Sequence, residues 1–378
     1  MTRRTIEHEV ASLRLGAGNC GPPQSMPEPV THESILGGTN EAEWCRAVLP
    51  RVSRTFALSI EALPVTLREA VRIAYLLCRI VDTVEDQSNV SPVDRVALFD
   101  AFDVTLDDDT SDAAAFDARA RLVGLDADGA DGELCQRASV VFGRFRELPE
   151  EQRQAIRPHV AEMSVGMRAF AKRAEVAGKL RLDDVADLER YCYYVAGTVG
   201  KLLTALFELE VPTLKETTAL ALRERAVSFG LGLQMVNIAK DVAADHGRGD
   251  CFLPLSLAEA HGVSLDELFL PQNRKPGLGV VRDVCKIART HLSRAREYTL
   301  LWPAGDGRSI RMFCAVPLAL ALATIHEVEA GDSTLCLGQE PKISRAAVLG
   351  IFSEATEAIG DDVRLGKLLD RCGRGEYR

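Results

Sequence analysis

Several features that mark other protein classes are missing from this sequence. Its ten cysteines are scattered singly, without a C-x-x-C pair or a zinc-like spacing, so neither a zinc site nor a disulfide framework is predicted. The first twenty residues lack the apolar region of a signal peptide. The longest apolar stretch, 312–325, is too short to span a bilayer and contains Pro317. We therefore predict a cytoplasmic protein in a reducing compartment, at most peripheral to a membrane.

A basic surface and strand-like alternation are missing too. Asp and Glu outnumber Lys and Arg by 55 to 45, and the net charge of -10 argues against a nucleic-acid partner, because phosphate recognition needs a basic face. Hydrophobic residues make up 47% of the 378 residues, which is enough for a substantial core. Apolar positions recur at helical spacing almost throughout. The sequence predicts an all-α fold, a single domain of roughly ten or more helices.

Three segments depart from this helical pattern. Residues 1–38 are rich in Gly, Pro and polar residues, and we predict that they are disordered or loosely attached. Residues 104–132 are acidic and interrupted by glycines, which indicates an acidic surface insertion. Residues 361–378 are predicted to be a polar C-terminal tail. The folded domain would then span 39–360.

The stretch "RIVDTVEDQ" places three carboxylates at the end of a strongly apolar helix. On a helix, Asp82 and Glu85 continue the apolar stripe, and Asp86 lies on an adjoining stripe with Tyr75 and Arg79. The acids would thus share a face with residues that we expect to be buried. The simpler alternative is a helix end that emerges into water with its acids solvated.

A second apolar helix, "FGLGLQMVNIAKDVAAD", carries a similar polar stripe. Gln234, Asn237, Asp241 and Asp245 follow at spacings of three, four and four residues, so they lie on one face. Alone, the stripe could reflect hydrogen bonds between helices, followed by acids at a helix end. Two such helices in one chain are harder to explain in that way.

Five carboxylates near one cavity would repel one another and take up protons unless cations joined them. The candidate donors are all oxygens, which suits Mg²⁺, an ion that shares its coordination with phosphate oxygens and water. The residues therefore predict a helical bundle in which carboxylates on facing helices hold Mg²⁺ for a diphosphate leaving group, above an apolar cavity. The predicted metal ligands are Asp82, Glu85, Asp86, Asp241 and Asp245.

Six segments, in order over about residues 40–345, resemble the squalene/phytoene synthases, which are head-to-head prenyl transferases. They are "SRTF", "YLLCRIVDTVED", "YCYYVAGTVGKLL", "LQMVNIAKDVAAD", "RGDCFLP" and "FCAVPLALALAT". "DTVED" and "FCAVP" are more similar to squalene synthases, whereas "RGDCFLP" favours the bacterial and phytoene side, so we expect the nearest resemblance to be to bacterial-type squalene synthase. The resemblance implies that 39–360 is a class I terpenoid synthase bundle with a central active-site channel.

The resemblance also implies an activity, that of a farnesyl-diphosphate farnesyltransferase. Two farnesyl diphosphates would condense with Mg²⁺ to presqualene diphosphate, which NADPH would reduce to squalene. The implied catalytic residues are Tyr191, as acid/base in cyclopropane formation, and Asp82, Asp86, Asp241 and Asp245. The implied substrate-binding residues are Ser53, Arg54, Phe56, Tyr75, Arg79, Val199, Leu203, Gln234, Asn237, Lys240 and Arg248. The implied cofactor-binding residues are Asn237, Phe313, Cys314, Pro317, Lys342 and Arg345.

Plainer interpretations of these residues stay open. Tyr191 and Tyr194 could be core aromatics, and Arg79 could be a structural partner of Asp82 or Asp86. The segment with Phe313, Cys314 and Pro317 could be core alone, and Gly197 and Gly200 are expected to permit close helix packing or backbone approach to a diphosphate.

Two positions depart from the family pattern. Lys240 stands where the family usually has Arg, so a forked phosphate contact becomes a point charge. Asp250 stands where a basic or neutral residue is more usual, which would weaken the phosphate side of that loop.

Other functions remain open at this point. The same condensation could end without NADPH in hydroxysqualene, dehydrosqualene or phytoene. A class I terpene cyclase would explain the acids but not Tyr191 or "FCAVP", and an inactive prenyl-diphosphate-binding subunit would not need both motifs intact. The sequence predicts transient membrane contact for release of a lipophilic product. It leaves open the oligomeric state and the choice between C15 and C20 substrates.

Overall fold

The computed structural model describes residues 40–377, without 87–89, 126–128, 332, 337 and 340 and without the side chains of 54, 55 and 333. The predicted N-terminal segment 1–38 lies outside the described residues. Over the described residues the regular secondary structure is helical, consisting of α-helices, one π-helical turn and three short 3₁₀ helices joined by turns and loops, with one isolated bridge between Leu182 and Pro254. The α-helices are α1 (Glu41–Val52), α2 (Arg54–Glu61), α3 (Val65–Asp86), α4 (Pro92–Asp107), α5 (Ala114–Leu122), α6 (Ala130–Gln136), α7 (Ala138–Arg146), α8 (Glu150–Ala177), α9 (Val185–Cys192), α10 (Thr198–Glu210), α11 (Glu216–Arg248), α12 (Leu255–Ala260), α13 (Arg274–Leu301), α14 (Arg308–Ala330), α15 (Arg345–Ala358) and α16 (Asp362–Gly373).

Helix α10 lies at the centre of the bundle. It packs against α3 and α8 on one side and against α11 on the other. Of its residues only Leu209 is exposed, because apolar side chains occupy most of its circumference. Helices α11 and α13 run along each other, and α14 packs on both. This arrangement places the two acidic helices, α3 and α11, on either side of α10.

Backbone atoms approach each other directly where α11 packs on α10 and on the residues just before it. A Cβ atom at Gly200 would lie 2.1 Å from the carbonyl oxygen of Ala226, and one at Gly230 would lie 2.1 Å from that of Ala196. Only glycine allows this approach. The expected packing role of Gly200 is therefore confirmed.

A π-helical turn, Tyr193–Gly197, joins α9 to α10. The backbone N–H of Thr198 donates to the carbonyl oxygen of Tyr193, which closes the π turn, and the Thr198 hydroxyl donates to the carbonyl oxygen of Tyr194 at 2.9 Å. A π turn inserts one extra residue and changes which side chains share a face, and such turns are frequent at functional sites. It separates Tyr191 on α9 from Val199 on α10.

The structure corrects the predicted acidic surface insertion at 104–132. Within it, α5 buries Phe116 and Ala120, and Leu125 after it is fully buried. The ring of Phe116 lies 6.2 Å from that of Phe102 in α4. This part of the segment belongs to the core, because the buried apolar residues of α5 lie on one face of the helix.

The structure also corrects the predicted polar tail at 361–378. Most of it forms α16, which buries Leu365 and Leu369 and packs against α14. Arg311 of α14 is only 1% exposed and pairs with Asp362 at the start of α16. The many charges of α16 conceal an apolar stripe at helical spacing.

Helix α14 is longer than the apolar run that predicted it. Its 23 residues are long and apolar enough to cross a membrane by length and composition, although Pro317 lies inside it. In the structure most of its apolar residues are buried against other helices. The central helix of a globular fold meets the same criterion, so the feature is weak evidence for a membrane span.

Candidate active site

The first acidic motif, Asp82, Glu85 and Asp86, ends helix α3. Asp82 and Glu85 are half-buried and Asp86 is exposed. Burial raises the pKa of Glu85 well above its usual range, and the neighbouring carboxylates of Asp86 and Asp82 raise it further. Crowding of carboxylates is therefore present within the first motif, whereas the sequence predicted all five acids around one cavity; a bound cation would relieve it.

Arg79 is held by two carboxylates, one near in sequence and one remote. Its Nε and Nη2 donate to the two carboxylate oxygens of Asp131 at 2.7 and 2.8 Å, and its Nη1 donates to Asp82 at 2.6 Å. The Arg79 side chain is 13% exposed. The plainer interpretation of Arg79 as a partner of Asp82 is confirmed. Asp131 was missed, because nothing in the local sequence pairs it with a residue in another helix.

Tyr75, one turn before Arg79, connects α3 to the junction of α1 and α2. Its phenol is hydrogen-bonded to Ser53, and its ring centroid lies 5.7 Å from that of Phe56. Burial raises the pKa of Tyr75, so the phenol is neutral at physiological pH. The structure thus brings together Ser53, Phe56, Tyr75 and Arg79; the side chain of Arg54 lies outside the described residues.

Tyr191 is buried beside the first acidic motif. It is 4% exposed; its ring is stacked on Phe252 with centroids 5.0 Å apart and meets Phe170 edge-on at 5.2 Å. Burial raises its pKa well above the usual value, and the carboxylates of Glu85 and Asp86 raise it further. The phenol therefore stays protonated while it faces negative charge. Phe170 and Phe252 were not predicted, since apolar residues in helices and loops are common.

The second acidic motif, Asp241 and Asp245, lies near the end of α11. Burial raises the pKa of Asp245 to about 7; Arg248 opposes this shift, whereas Asp241 and Asp250 add to it. Lys240 Nζ lies 3.2 Å from Asp241 Oδ1. At neutral pH an isolated Asp245 would thus be only partly ionised, which again favours a nearby cation.

Arg248 is held more loosely than Arg79. It pairs with Asp245 one turn earlier, its Nε lies 4.0 Å from Asp250 Oδ2, and its side chain is 51% exposed. Asp250 thus contacts Arg248, the guanidinium that pairs with the second acidic motif. Gln234 is half-buried and Asn237 is exposed on the same helix.

Six aromatic rings form a continuous row behind the motifs. Successive ring centroids lie 5.2 to 6.5 Å apart. The aromatic row consists, in order, of Phe56, Phe313, Phe207, Trp302, Tyr298 and Phe229. Phe207 and Trp302 are fully buried, so the row is part of the core, and it reaches the partly exposed residues of the site at Phe56.

Predicted channel and cofactor residues occupy different environments. Val199 and Leu203 are half-buried one turn apart on α10. Phe313, Cys314 and Pro317 are buried in α14, so their interpretation as core residues is confirmed. The remaining pair, Lys342 and Arg345, is exposed at the start of α15 and just before it.

The structure groups the predicted residues into two clusters. One contains the first acidic motif with Tyr75, Arg79 and Tyr191; the other contains the second acidic motif with Lys240 and Arg248. In the part of the chain that the structure describes, no three His, Cys, Asp or Glu side chains are close enough together to hold a metal ion. Each motif would therefore have to share a cation with phosphate oxygens and water, as Mg²⁺ prefers.

Two cavities open elsewhere on the surface. One of about 280 Å³ is lined by Glu224, Arg225, Arg294 and Glu297. The other, of about 340 Å³, lies between α13, α14 and α16. Neither contains a predicted site residue, and the chemistry described above lies outside both.

Comparisons with known proteins agree with one another. A family model described as squalene/phytoene synthase matches residues 49–347. The squalene synthase of Eremothecium gossypii is 30% identical over 322 residues, which cover 82% of this chain and 67% of that protein. The squalene synthase of Schizosaccharomyces pombe is 31% identical over 287 residues, covering 75% of this chain and 59% of that protein. The chain thus spans about three fifths to two thirds of these relatives.

The fold has a solved counterpart. The structure of the protein designated TcSQS with a ligand superimposes with a TM-score of 0.72 at 24% identity, covering 89% of this chain and 99% of that chain. At this identity the likeness shows the fold alone. Both relatives named above are eukaryotic, which does not support the expected nearness to bacterial-type enzymes.

Proposed function

The chain belongs to the squalene/phytoene synthase family, and on that premise we propose that it is a farnesyl-diphosphate farnesyltransferase. Two farnesyl diphosphates would be joined head to head to presqualene diphosphate, which would then be reduced to squalene. The names of its relatives support this choice within the family.

The observation that carries the proposal is the position of Tyr191 beside the first acidic motif. Forming the cyclopropane ring of presqualene diphosphate from two farnesyl diphosphates releases one diphosphate and one proton. A buried phenol with a raised pKa, next to the carboxylates that would face the diphosphate, can relay that proton to the departing oxygen. A core tyrosine would not need acids as neighbours.

We propose that both acidic motifs bind Mg²⁺. The donor set fits this ion, because it consists of carboxylate oxygens and because burial raises the pKa values of Glu85 and Asp245. When bound, Mg²⁺ would neutralise the negative charge that develops on the leaving diphosphate. Arg79, Lys240 and Arg248 would contact the remaining phosphate oxygens.

The apolar part of the site would hold the carbon chains. Val199, Leu203 and Phe56 are partly buried and would offer apolar surface, and Phe56 links the buried aromatic row to Tyr75 beside Arg79. Excluding water there would decide the product, because capture of the carbocation by water would give hydroxysqualene and loss of a proton would give a dehydrosqualene.

We propose NADPH as the hydride donor of the second stage. Lys342 and Arg345 are exposed cations that could bind its phosphates, Asn237 is exposed on α11, and the buried Phe313, Cys314 and Pro317 could form only the inner wall. Replacing Lys342 and Arg345 together by Ala should raise the KM for NADPH about tenfold and leave the rate of presqualene diphosphate formation unchanged. An unchanged KM would remove the pair from the cofactor site.

The proposed activity is tested by incubating the purified chain with farnesyl diphosphate and Mg²⁺, with and without NADPH, and analysing the extracts by gas chromatography–mass spectrometry. We expect squalene only when NADPH is present. An alcohol or a dehydrosqualene in both reactions would support the proposed condensation and contradict the proposed reduction by NADPH. A product formed from geranylgeranyl diphosphate but not from farnesyl diphosphate would show that the substrate is C20. No product from either diphosphate would refute the proposed activity.

The role of Tyr191 is tested with a matched phenol on the same segment. Tyr191→Phe should lower the rate of presqualene diphosphate formation by about a hundredfold or more. Tyr193→Phe is the control, because the Tyr193 hydroxyl donates instead to Glu162 at 2.5 Å. Equal effects of both substitutions would contradict a proton relay through Tyr191.

We also propose that the enzyme contacts a membrane transiently when the product leaves. Leu58, Val65 and Leu209 are 51%, 79% and 43% exposed. A hydrogen bond from Thr66 to Glu210 joins the start of α3 to the end of α10, far along α3 from the first acidic motif. Sedimentation of the full chain with squalene-containing phosphatidylcholine liposomes should weaken in Leu58→Asp; an absence of binding by the unaltered chain would contradict the contact.

A further inference from the structure

Asp131 is the carboxylate that the proposed mechanism does not use, although it contacts a residue of the site. We propose that Asp131 is a positioning residue, which fixes the guanidinium of Arg79 so that it can bind the diphosphate and leaves Asp82 available to a cation. This inference rests on the proposed function of the first acidic motif and names a residue that acts on it from helix α6.

Some N–H groups of Arg79 hold its side chain in place, and the others are available to a ligand. A guanidinium has five N–H donors in a rigid plane. Three of them are used, two by the fork with Asp131 and one by Asp82. The two that remain, one on Nη1 and one on Nη2, lie in the same plane on adjacent nitrogens. The fork therefore determines the direction in which Arg79 can offer a paired contact to phosphate oxygens.

The same fork determines how strongly Arg79 competes for Asp82. With Asp131 present, the positive charge of Arg79 is compensated by a carboxylate outside the acidic motif. Without Asp131, Arg79 would have Asp82 as its main counter-ion, and a pair that is 13% and 22% exposed is only weakly screened by water. A cation would then have to displace a stronger ion pair. Removing Asp131 should therefore weaken binding of Mg²⁺ and diphosphate together.

Helix α6 holds Asp131 in place. Asp131 lies in the first turn of α6, where a negative charge is favoured by the helix dipole. Two residues later, Glu133 pairs with Arg51 at 2.7 Å and accepts a hydrogen bond from the indole of Trp44. The helix is thus tied to α1 and packs on α3. The carboxylate of Asp131 is presented by a packed helix.

Glu133 also provides the matched control. It is an acid on the same helix with its own arginine partner, and it does not contact Arg79. Glu133→Gln removes the salt bridge to Arg51 but keeps a side-chain oxygen that can accept the hydrogen bond from Trp44, so α6 stays tied to α1 and the contact between Asp131 and Arg79 is left intact. Asp131→Glu keeps the carboxylate with a longer side chain, and Arg79→Gln removes the group through which Asp131 is proposed to act.

The test is calorimetric titration of the full chain with inorganic pyrophosphate in the presence of Mg²⁺, with thermal unfolding of each variant as a check on folding. Asp131→Asn should bind pyrophosphate about tenfold more weakly than the unaltered chain. Asp131→Glu should recover part of the loss, and Glu133→Gln should bind normally. In the Arg79→Gln background, Asp131→Asn should cause no further loss, since both act through one group.

Several results would overturn the proposal. They are unchanged or tighter binding by a folded Asp131→Asn variant, an equal loss in Glu133→Gln, a full additional loss in the Arg79→Gln background, or an unaltered chain that does not bind pyrophosphate at all. The titration involves no turnover. A chain that binds pyrophosphate in this pattern but makes no C30 product would therefore refute the proposed activity and leave the role of Asp131 standing.

Discussion

The two acidic motifs contain the same kinds of residue but restrain them differently. In each, an arginine pairs with an aspartate three residues away. Arg79 is also forked on the remote Asp131 and is 13% exposed, whereas Arg248 has a long contact to Asp250 and is 51% exposed. The spacing of a motif therefore does not determine its rigidity. A residue elsewhere in the fold does.

The difference predicts a division of labour. The first motif is held ready before substrate arrives, with Tyr191 beside it. The second motif has a buried Asp245 whose pKa is raised to about 7 and an exposed counter-ion, Arg248, so we expect it to organise only when a cation and a diphosphate bind. The following predictions test this comparison.

Removing one carboxylate from each motif should have the largest effect. Asp82→Asn and Asp245→Asn should each lower the kcat for presqualene diphosphate formation by on the order of a hundredfold or more, because each removes a carboxylate that we propose binds Mg²⁺. Steady-state kinetics with Asp283→Asn as control measures this; Asp283 pairs with His261 and Lys286 outside both clusters. Near-normal turnover in either motif variant would mean that only the other motif binds a reacting diphosphate.

The position of the second motif can be disturbed through its helix. Gly230→Ala should lower the free energy of unfolding by about 2–3 kcal/mol, because the new methyl group would overlap the carbonyl of Ala196. Gly247→Ala, near the end of the same helix and with open space around it, is the control and should be neutral or slightly stabilising. Chemical denaturation of both variants distinguishes packing from helix propensity.

The two motifs should respond oppositely in stability when their aspartates are neutralised. Asp in an unfolded chain titrates near about 3.9, whereas the pKa of folded Asp245 is about 7. Between these values the folded state binds the extra proton, so stability falls as pH rises from about 4 to 7 and stays low above.

Asp245→Asn should remove this pH dependence. At pH 8 without divalent metal, the variant should be more stable than the unaltered chain by about 2 kcal/mol, and near pH 4 the two should be similar. Asp82→Asn should instead lose about 1 kcal/mol, because it breaks the pair with Arg79. Denaturation at several pH values measures both; equal signs for the two substitutions would refute the contrast.

Lysine at the two arginine positions gives the smallest effect and the closest comparison. Arg79→Lys should raise the KM for farnesyl diphosphate about tenfold, because an ammonium cannot satisfy the fork with Asp131 and a phosphate together. Arg248→Lys should raise it only a few-fold, since that side chain makes a single close pair. A larger effect at Arg248 would show that exposure in the unliganded protein does not indicate freedom in the complex.

The sequence predicted what local spacing encodes. The family, the all-α fold, both acidic helices and the close packing at Gly200 are confirmed, because periodicity and motif order carry that information. The role of each site residue remains a prediction, although the structure places Ser53, Tyr75, Arg79 and Tyr191 around the first motif.

The parts that failed depend on contacts between distant residues. Asp131 lies in a segment predicted to be a surface insertion, and only tertiary packing turns its carboxylate towards Arg79. The aromatic row begins at Phe56 in α2 and includes rings from four further helices, α10, α11, α13 and α14. Single aromatic residues in apolar helices do not show from the sequence that their rings will be in contact. The many charged residues of α16 led to the prediction of a polar tail, although Leu365 and Leu369 are buried.

The two tryptophans of the chain lie in two different regions, one beside helix α6 and one in the aromatic row. Trp44 lies under the guanidinium of Arg137, 4.5 Å from its ring, and donates to Glu133 on the helix that carries Asp131. Trp302 is packed between Phe207 and Tyr298 in the aromatic row. The molecule therefore contains one fluorophore for each region, and replacing either by Phe leaves a single emitter whose wavelength and quenching report on that region alone.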